Sequence, residues 1–171
     1  LRANVDLRLY ATNNITTTGK TLSAGNILAD SKSGNIVFDT LGATGGALQA
    51  TGTGFPTLGN VTLSAQAGAI ISAAGSSTPE VISGGLADDI IVLRAANGIG
   101  AVGAGTNQTP QNPIETQSLL LDAENTTANG LYLRNKGTVF LTQNTTTGSR
   151  IVNGAAGGAI YGEAYASASG N

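Results

Sequence analysis

Apolar and polar residues alternate along short stretches of this chain. The alternation runs through residues 5–11 near the N-terminus and returns at Val61, Leu63 and Ala65. A period of two over about four to six residues is typical of a β-strand with one buried face. We find no glycine-free window with the i, i+3, i+4, i+7 apolar stripe of an amphipathic helix. The pattern therefore predicts an all-β fold.

Two short motifs recur along the chain. The first is Leu, any residue, Ala, followed by small or amide residues and then Ile or Leu, and its copies begin at Leu9, Leu22, Leu63, Leu93 and Leu121, with a weaker copy at Leu48. The second is Gly-Asn before a β-branched residue, found at Gly25-Asn26-Ile27, Gly34-Asn35-Ile36 and Gly59-Asn60-Val61. Internal repeats of this kind indicate stacked structural units. Glycine and asparagine supply the positive φ that tight corners between units demand.

Two all-β architectures compete, a β-sandwich and a β-solenoid. Aromatic residues are only 4% of the chain, and the inward positions are Leu, Ile, Val and Ala, which favours the uniform ladders of a solenoid over a sandwich core. Leu63 and Leu93 lie 30 residues apart, which suits one coil, whereas Leu9 and Leu22 are 13 apart and fit two faces of one coil. At roughly 20–30 residues a coil, we expect about six to eight coils.

We therefore predict one parallel β-solenoid domain over residues 1–171, built of short strands and Gly/Asn/Thr-rich turns. The chain stops at Gly170-Asn171, where the second motif would continue with a β-branched residue. We expect the sequence to be a fragment or repeat unit of a longer chain.

Composition excludes most catalytic chemistry and several classes of partner. The chain has no Cys and no His, so thiolate and imidazole sites are excluded, and we expect no enzyme and no cofactor. Charged residues are 11% and the net charge is −2, which offers no basic surface for nucleic acid. No apolar run approaches the ~18 residues of a transmembrane helix. We expect neither nucleic-acid binding nor a membrane span.

The middle and C-terminal parts of the chain resemble a known unit. The stretches that carry the resemblance are Leu93-Arg94-Ala95-Ala96-Asn97-Gly98-Ile99-Gly100, Asn112-Pro113-Ile114-Glu115-Thr116, Leu119-Leu120-Leu121-Asp122-Ala123 and Asn129-Gly130-Leu131-Tyr132-Leu133. They resemble units of large repetitive bacterial exoproteins, the filamentous-haemagglutinin-like adhesins and related surface proteins. The resemblance implies a right-handed parallel β-helix and a role as an elongated shaft, adhesive surface or matrix element. No signature of the two-partner secretion domain accompanies it.

These observations predict a non-enzymatic, secreted or cell-surface structural protein. We expect a β-solenoid segment of an adhesin or the subunit of an extracellular filament, with end-to-end self-association or continuation of a larger chain. Host or matrix glycans are the expected ligands. The alternative is a carbohydrate-binding module or a carbohydrate-active β-helix enzyme, which would use Asp88, Asp89, Asp122 or Glu124.

The acidic residues allow both a functional and a structural interpretation. Asp88 and Asp89 follow Gly84-Gly85 and are candidate calcium ligands, although aspartates at such a corner more often cap backbone amides. Asp122 and Glu124 lie two residues apart and share one face of an extended strand. They are expected to be solvated charges, with a site formed together with Arg134 or Lys136 as the alternative.

Three asparagines in predicted loops are candidate glycan attachment sites. Asn107, Asn125 and Asn144 each begin an Asn-x-Thr sequon, and Asn60, which also begins one, is expected to be a corner or ladder residue. Glycan attachment would require a source cell that glycosylates.

The C-terminal segment is the candidate for assembly. A solenoid end exposes unpaired strand edges, which invite a further copy unless a cap covers them. We expect Ala159, Ile160, Tyr161 and Tyr165 to form assembly contacts. A sugar-binding module would instead need Tyr132, Tyr161 and Tyr165 to line one exposed face.

Overall fold

The computed structural model describes residues 6–18, 22–39, 48–50, 59–72, 79–84, 89–100, 112–140, 150–156 and 158–165. Every regular element in these ranges is a strand, and none is a helix long and apolar enough to cross a membrane. The strands are β1 (Asp6–Ala11), β2 (Ile15–Thr18), β3 (Leu22–Ala24), β4 (Asn26–Ser31), β5 (Ile36–Asp39), β6 (Leu48–Ala50), β7 (Val61–Ala65), β8 (Ile70–Ser72), β9 (Val81–Ile82), β10 (Ile90–Ala95), β11 (Ile114–Gln117), β12 (Leu120–Asn125), β13 (Leu131–Lys136), β14 (Arg150–Asn153) and β15 (Ile160–Tyr165).

The described strands form three sheets, and all of their pairings are parallel. The first sheet has the order β1-β4-β7-β10-β12-β14, the second β3-β6-β9-β11-β13-β15 and the third β2-β5-β8. Parallel bridges from Ile70 to Ile99 and from Ile99 to Leu131 extend the third sheet to β13. From β1 to β9 the chain visits the first, third and second sheets in turn, and from β10 to β15 the strands alternate between the first and second sheets. Each new strand lies beside the preceding strand of its own sheet. The prediction of an all-β fold of parallel strands is confirmed.

The register of the first sheet agrees with most of the repeat spacing. Leu93 pairs with Leu63, as the 30-residue spacing predicts. On the other side Leu93 pairs with Ala123 and not with Leu121, so the Leu-x-Ala copy at Leu121 is shifted by two residues. A shift of two keeps every side chain on its own face, because side chains alternate with a period of two. The repeat therefore predicts the buried face correctly but not the register at this strand.

The two copies of the motif nearest the N-terminus belong to different sheets. Leu9 lies on β1 in the first sheet, and Leu22 lies on β3 in the second, so the 13-residue spacing does separate two faces. The copy at Leu22 pairs in register with the copy at Leu48 on β6. The same three-residue pattern therefore serves two different sheets.

A single cluster of aliphatic side chains fills the space between the sheets. In the first sheet Val61 and Ile91 are fully buried, in the second Leu48 and Val81, and in the third Ile70. Burial of one such side chain stabilises a fold by roughly 1.5–3 kcal/mol. Because paired strands place like side chains side by side, the interior needs little aromatic bulk.

Asparagine side chains connect successive strands at the corners. Asn26 Oδ1 accepts hydrogen bonds from the backbone N–H groups of Gly59 and Asn60, both at 3.1 Å, and Asn60 Oδ1 accepts one from Ile90 N at 2.9 Å. At another corner Asn35 Oδ1 accepts from Ala69 N at 2.9 Å. The Gly-Asn motif thus supplies acceptors for corner amides that the sheets leave unpaired. The expected ladder role of Asn60 is confirmed.

Candidate functional site

Two glutamates and an arginine occupy neighbouring strands of the second sheet. Glu80 directly precedes β9, Glu115 lies on β11 and Arg134 on β13. The register pairs Val81 with Thr116, which sets Glu80 beside Glu115, and it pairs Glu115 with Arg134. Residues 35 positions apart in the chain are therefore adjacent in the sheet.

Hydrogen bonds join the two glutamates closely. Ser72 Oγ donates to Glu80 Oε1 at 2.5 Å, and the Glu115 backbone N–H donates to Glu80 Oε2 at 3.2 Å. In the other direction Glu80 N donates to the Glu115 carbonyl at 2.7 Å. Arg134 Nη1 lies 3.4 Å from Glu115 Oε1. Both glutamates are only 1% exposed, so water does not solvate their charges.

Burial changes the protonation of this pair. The pKa of Glu80 is raised from 4.5 to about 7, and loss of solvation is the largest cause. The hydrogen bonds from Ser72 and from the Glu115 backbone lower this pKa, while the negative charge of Glu115 raises it. The Glu80 carboxyl therefore titrates near neutral pH. The chain has no histidine, the side chain that usually titrates in this range.

The buried position limits what this pair can do chemically. A catalytic carboxyl must reach the bond that it protonates or the atom that it attacks, and these two face protein on all sides. The arrangement can store and release a proton between two strands. Sequence reasoning missed it because the two glutamates are far apart in the chain. Their spacing of 35 residues gave no signal, because it exceeds the roughly 20–30 residues predicted for one repeat unit.

An open groove lies beside the glutamate pair. Its volume is about 570 Å³, and its polar lining includes Gln49, Ser83, Gln117, Ser118 and Lys136. The strands bring these residues together, since Gln49 pairs with Ile82 and Ile82 with Gln117 across β6, β9 and β11. Its amide, hydroxyl and ammonium groups can bind a hydroxylated ligand by hydrogen bonds, and Ala50, Ile82 and Leu119 add apolar surface to the same lining.

The acidic pair on β12 contacts an arginine that was not among its predicted partners. Asp122 and Glu124 do share one face of the strand. Both contact Arg94 of the neighbouring strand β10: Asp122 Oδ2 makes a short ion pair with Arg94 Nη2, and Glu124 Oε2 lies 3.6 Å from Arg94 Nε. Arg134 instead contacts Glu115. The alternative of a site with Arg134 is wrong, because Arg134 lies in the second sheet and Asp122 in the first.

Asp89 is buried at the corner that leads into β10. The side chain is 3% exposed, and a Cβ added at Gly59 would lie 2.5 Å from its Oδ1. A Cβ at Gly84 would collide with Oδ2, so both glycines leave the space that this carboxyl occupies. No three acidic, His or Cys side chains of the described residues gather as a metal site requires. Asp88 lies outside the described residues, and the calcium site stays a prediction.

Asn125 occupies a buried corner and not an exposed loop. Its Oδ1 accepts from Gly98 N at 2.8 Å, and its Nδ2 donates to the carbonyl of Ala128 at 2.8 Å and to Asn153 Oδ1 at 2.9 Å. The side chain is fully buried. A glycan on Nδ2 would displace these bonds, so the structure favours a ladder role over the predicted attachment at Asn125. Asn107 and Asn144 lie outside the described residues.

The predicted assembly contacts belong to a strand with one described neighbour. Ala159 precedes β15, and its carbonyl accepts from Leu131 N at 2.9 Å, which ties this segment to β13. Ile160 is 53% exposed, and Tyr161 is half-buried. The side chain of Tyr165 lies outside the described residues. Among the described strands, β15 forms one border of the second sheet and β14 the same border of the first.

The tyrosines do not form one exposed face. Tyr132 pairs in register with Tyr161, but Tyr132 is only 5% exposed. Its ring packs against Gly130, where a Cβ would collide with the ring carbons. The arrangement that a tyrosine-lined sugar site needs is therefore absent at Tyr132. Tyr10, which the sequence analysis did not consider, is 67% exposed on the first sheet.

Comparison with protein-family models, curated proteins and solved structures found no match to this chain. The resemblance to filamentous-haemagglutinin-like exoproteins stays a prediction.

Proposed function

We propose that this chain is a β-solenoid and acts as a non-enzymatic extracellular structural protein, either a segment of a cell-surface adhesin or the subunit of an extracellular filament. In this proposal each coil contributes one strand to the first sheet and one to the second, and the stack of coils forms a stiff rod. The observation that carries the proposal is the sequential, parallel, in-register stacking of strands in the first and second sheets.

The side chains support a load-bearing role. Stacked strands form continuous ladders of backbone hydrogen bonds, and the aliphatic columns beneath them exclude water. Asparagines such as Asn26 and Asn60 add hydrogen bonds between coils at the corners. These features stiffen a rod along its axis and require no ligand or cofactor.

The acidic residues support a role without catalysis. Asp122 and Glu124 are held by Arg94, while Glu80, Glu115 and Asp89 are buried. A carbohydrate-active enzyme needs carboxyls that converge on an open groove. None of these five residues lines the 570 Å³ groove beside the second sheet.

The borders of the sheets support assembly along the same axis. No described strand pairs with the outer edge of β14 or β15, and such an edge can accept a further parallel strand, which is the usual route of strand addition. In a parallel ladder alternate residues bond to opposite sides. Because the Ala159 carbonyl bonds to β13, we expect the N–H of Ile160 to face the open edge of β15.

Electron microscopy over a concentration series tests the filament form of this proposal. The wild-type chain should form fibres of uniform width, and Ile160→Pro should remain monomeric with an unchanged circular dichroism spectrum, because proline removes the edge N–H. Ile160→Thr is the matched control, since it keeps the N–H and should still assemble. Wild-type particles that stay short at every concentration favour the adhesin segment. Fibres of Ile160→Pro that match the wild type would contradict edge addition at β15.

Carbohydrate binding is a second candidate, favoured by the groove that Gln49, Gln117 and Lys136 line. A glycan array with the purified chain would identify a ligand. Gln117→Ala should then weaken binding at least tenfold, whereas Gln66→Ala, a change at an exposed glutamine outside this groove, should not. Equal loss in both variants, or no bound glycan, would refute the groove as a sugar site.

A further inference from the structure

The second sheet contains a pair of acidic groups that a structural rod does not need. Glu80 and Glu115 lie side by side on adjacent coils, and each is 1% exposed. The Glu115 backbone N–H donates to the Glu80 carboxyl, and the Glu80 N–H donates to the Glu115 carbonyl. Two ionised carboxylates in such a place repel each other and lack water to solvate them. One shared proton removes that cost.

The side chains that contact this pair come from two neighbouring strands, and one of the two is charged. From β13, Arg134 Nη1 contacts Glu115 Oε1, and from β8 the uncharged hydroxyl of Ser72 contacts Glu80. Residues 73–78 and 101–111, the chain segments that follow β8 and precede β11, contain no acidic or basic residue. Arg134 contacts Glu115 at 3.4 Å, a long ion pair, and its own side chain is 37% exposed.

The strand that this pair anchors is short. β9 has only two residues, Val81 and Ile82, and pairs with β6 and β11. Four backbone hydrogen bonds flank it: Leu48 N to Glu80 O, Glu80 N to Glu115 O, Ser83 N to Gln117 O and Gly84 N to Gly59 O. Ile82, Ser83 and Gly84 also line the 570 Å³ groove. These three residues lie within four positions of Glu80, so a displacement of Glu80 would also move the wall of the groove.

We propose that the Glu80–Glu115 pair is a proton-operated latch for β9. With one proton on the pair, Glu80 accepts from Ser72 and from Glu115 N, and β9 stays in the sheet. When that proton leaves to solvent, two adjacent negative charges are buried, β9 and its flanking hydrogen bonds open more often, and the groove wall loosens. The latch is independent of the assembly and glycan proposals.

The composition of the chain simplifies the attribution of a pH-dependent change to the Glu80–Glu115 pair. With no His and no Cys, no side chain of ordinary pKa titrates between pH 5 and 8. Glu80, with a pKa of about 7, titrates inside that window. A pH-dependent change in that window therefore reports the latch, apart from the terminal amine.

Hydrogen exchange at pH 5 and pH 8, corrected for intrinsic exchange rates, tests the latch. The opening equilibrium measured at the amides of Leu48, Glu80, Ser83 and Gly84 should rise roughly 50-fold from pH 5 to pH 8, if the open form restores an ordinary glutamate pKa. In Glu80→Gln, which stays neutral and keeps an acceptor for Ser72, the change should be under about twofold. Glu124→Gln, at the half-buried acid beside Arg94, should retain the wild-type response.

Two outcomes would overturn the latch. One is wild-type exchange at these four amides that changes less than threefold. The other is a Glu80→Gln chain that keeps the full pH response. If Glu80→Gln does not fold, carbon NMR of the wild-type carboxyl decides, because a Glu80 midpoint below pH 5.5 would equally refute the proposal.

Discussion

Two clusters in this molecule have the same composition, two acids and one arginine, but different surroundings. In the first sheet Arg94 lies between Asp122 and Glu124, and all three side chains are partly exposed. In the second sheet Arg134 contacts Glu115, and Glu115 and Glu80 are both 1% exposed. Solvent reaches all three side chains of the first cluster, whereas in the second it reaches Arg134 but neither glutamate.

The comparison shows that burial, and not the set of residues, decides how a charge cluster behaves. Arg94 reaches both of its acids, so the first cluster is a network of surface ion pairs with small individual contributions. Among the ion pairs of the described residues, Arg134 contacts Glu115 but not Glu80. Burial then raises the pKa of Glu80 to about 7. The first cluster adds little to the stability of its sheet. We expect the second cluster to make the stability of its sheet depend on pH.

The largest expected difference is the pH dependence of global stability. Glu80 holds its proton in the folded chain up to pH about 7 but loses it near 4.5 when unfolded, so unfolding releases a proton between these values. The stabilisation is complete below pH 4.5 and is lost as the pH rises to about 7, a fall of about 3 kcal/mol in the free energy of unfolding. Urea titrations at pH values from 5 to 8 should show most of this fall in the free energy of unfolding.

The matched variants separate the two clusters in that experiment. Glu80→Gln should flatten the profile, while Glu124→Gln should leave its slope unchanged. A flat wild-type profile, or a slope that Glu124→Gln abolishes, would show that the two clusters do not differ as described.

Removal of the arginines should give a smaller difference at pH 8. Arg134→Ala deprives the buried Glu115 carboxylate of its cation and should cost about 2 kcal/mol of unfolding free energy. Arg94→Ala breaks a more exposed network and should cost about 1 kcal/mol or less. Chemical denaturation measures both. A larger loss in Arg94→Ala than in Arg134→Ala would reverse the comparison.

Loss of the serine hydroxyl should have a moderate effect. Ser72→Ala removes the 2.5 Å hydrogen bond to Glu80 Oε1 and should cost about 1 kcal/mol. It should also raise the pKa of Glu80 further, since that bond lowers it. Ser64→Ala, on a half-buried position of the first sheet, is the control and should stay within about 0.5 kcal/mol. Equal effects of the two changes would argue against a special environment at Ser72.

Salt should produce the smallest difference. An increase of NaCl from 0.1 to 1 M shortens the Debye length from about 10 Å to about 3 Å. The cost of Arg94→Ala should shrink by a few tenths of a kcal/mol, because that network is exposed, whereas the cost of Arg134→Ala should hardly change. Thermal melts of the three proteins at both salt concentrations provide the measurement. If salt reduces the cost of Arg134→Ala more than the cost of Arg94→Ala, the second cluster is the more exposed to solvent and the comparison is wrong.

The local alternation of apolar residues was sufficient to predict strands and their buried faces, and the Gly-Asn motif indicated the ladder role of Asn60. Val61, Leu63 and Ala65 are inward because a strand has a period of two, and that rule is local. The shifted pairing of Leu121 escaped the repeat, since a shift of two satisfies the same pattern. The glycan prediction at Asn125 failed to anticipate its burial because a sequon carries no information on solvent exposure.

The sequence by itself determined that the chain is all-β, that its interior is aliphatic and that no histidine or cysteine takes part in its chemistry. Only the tertiary structure decided which acids meet. Asp122 and Glu124 are close in the chain but are held by Arg94, while Glu80 and Glu115 lie 35 residues apart and are buried, hydrogen-bonded neighbours in the second sheet. The physical reason is that a carboxyl's charge depends on its solvation and neighbours, and strand stacking sets both.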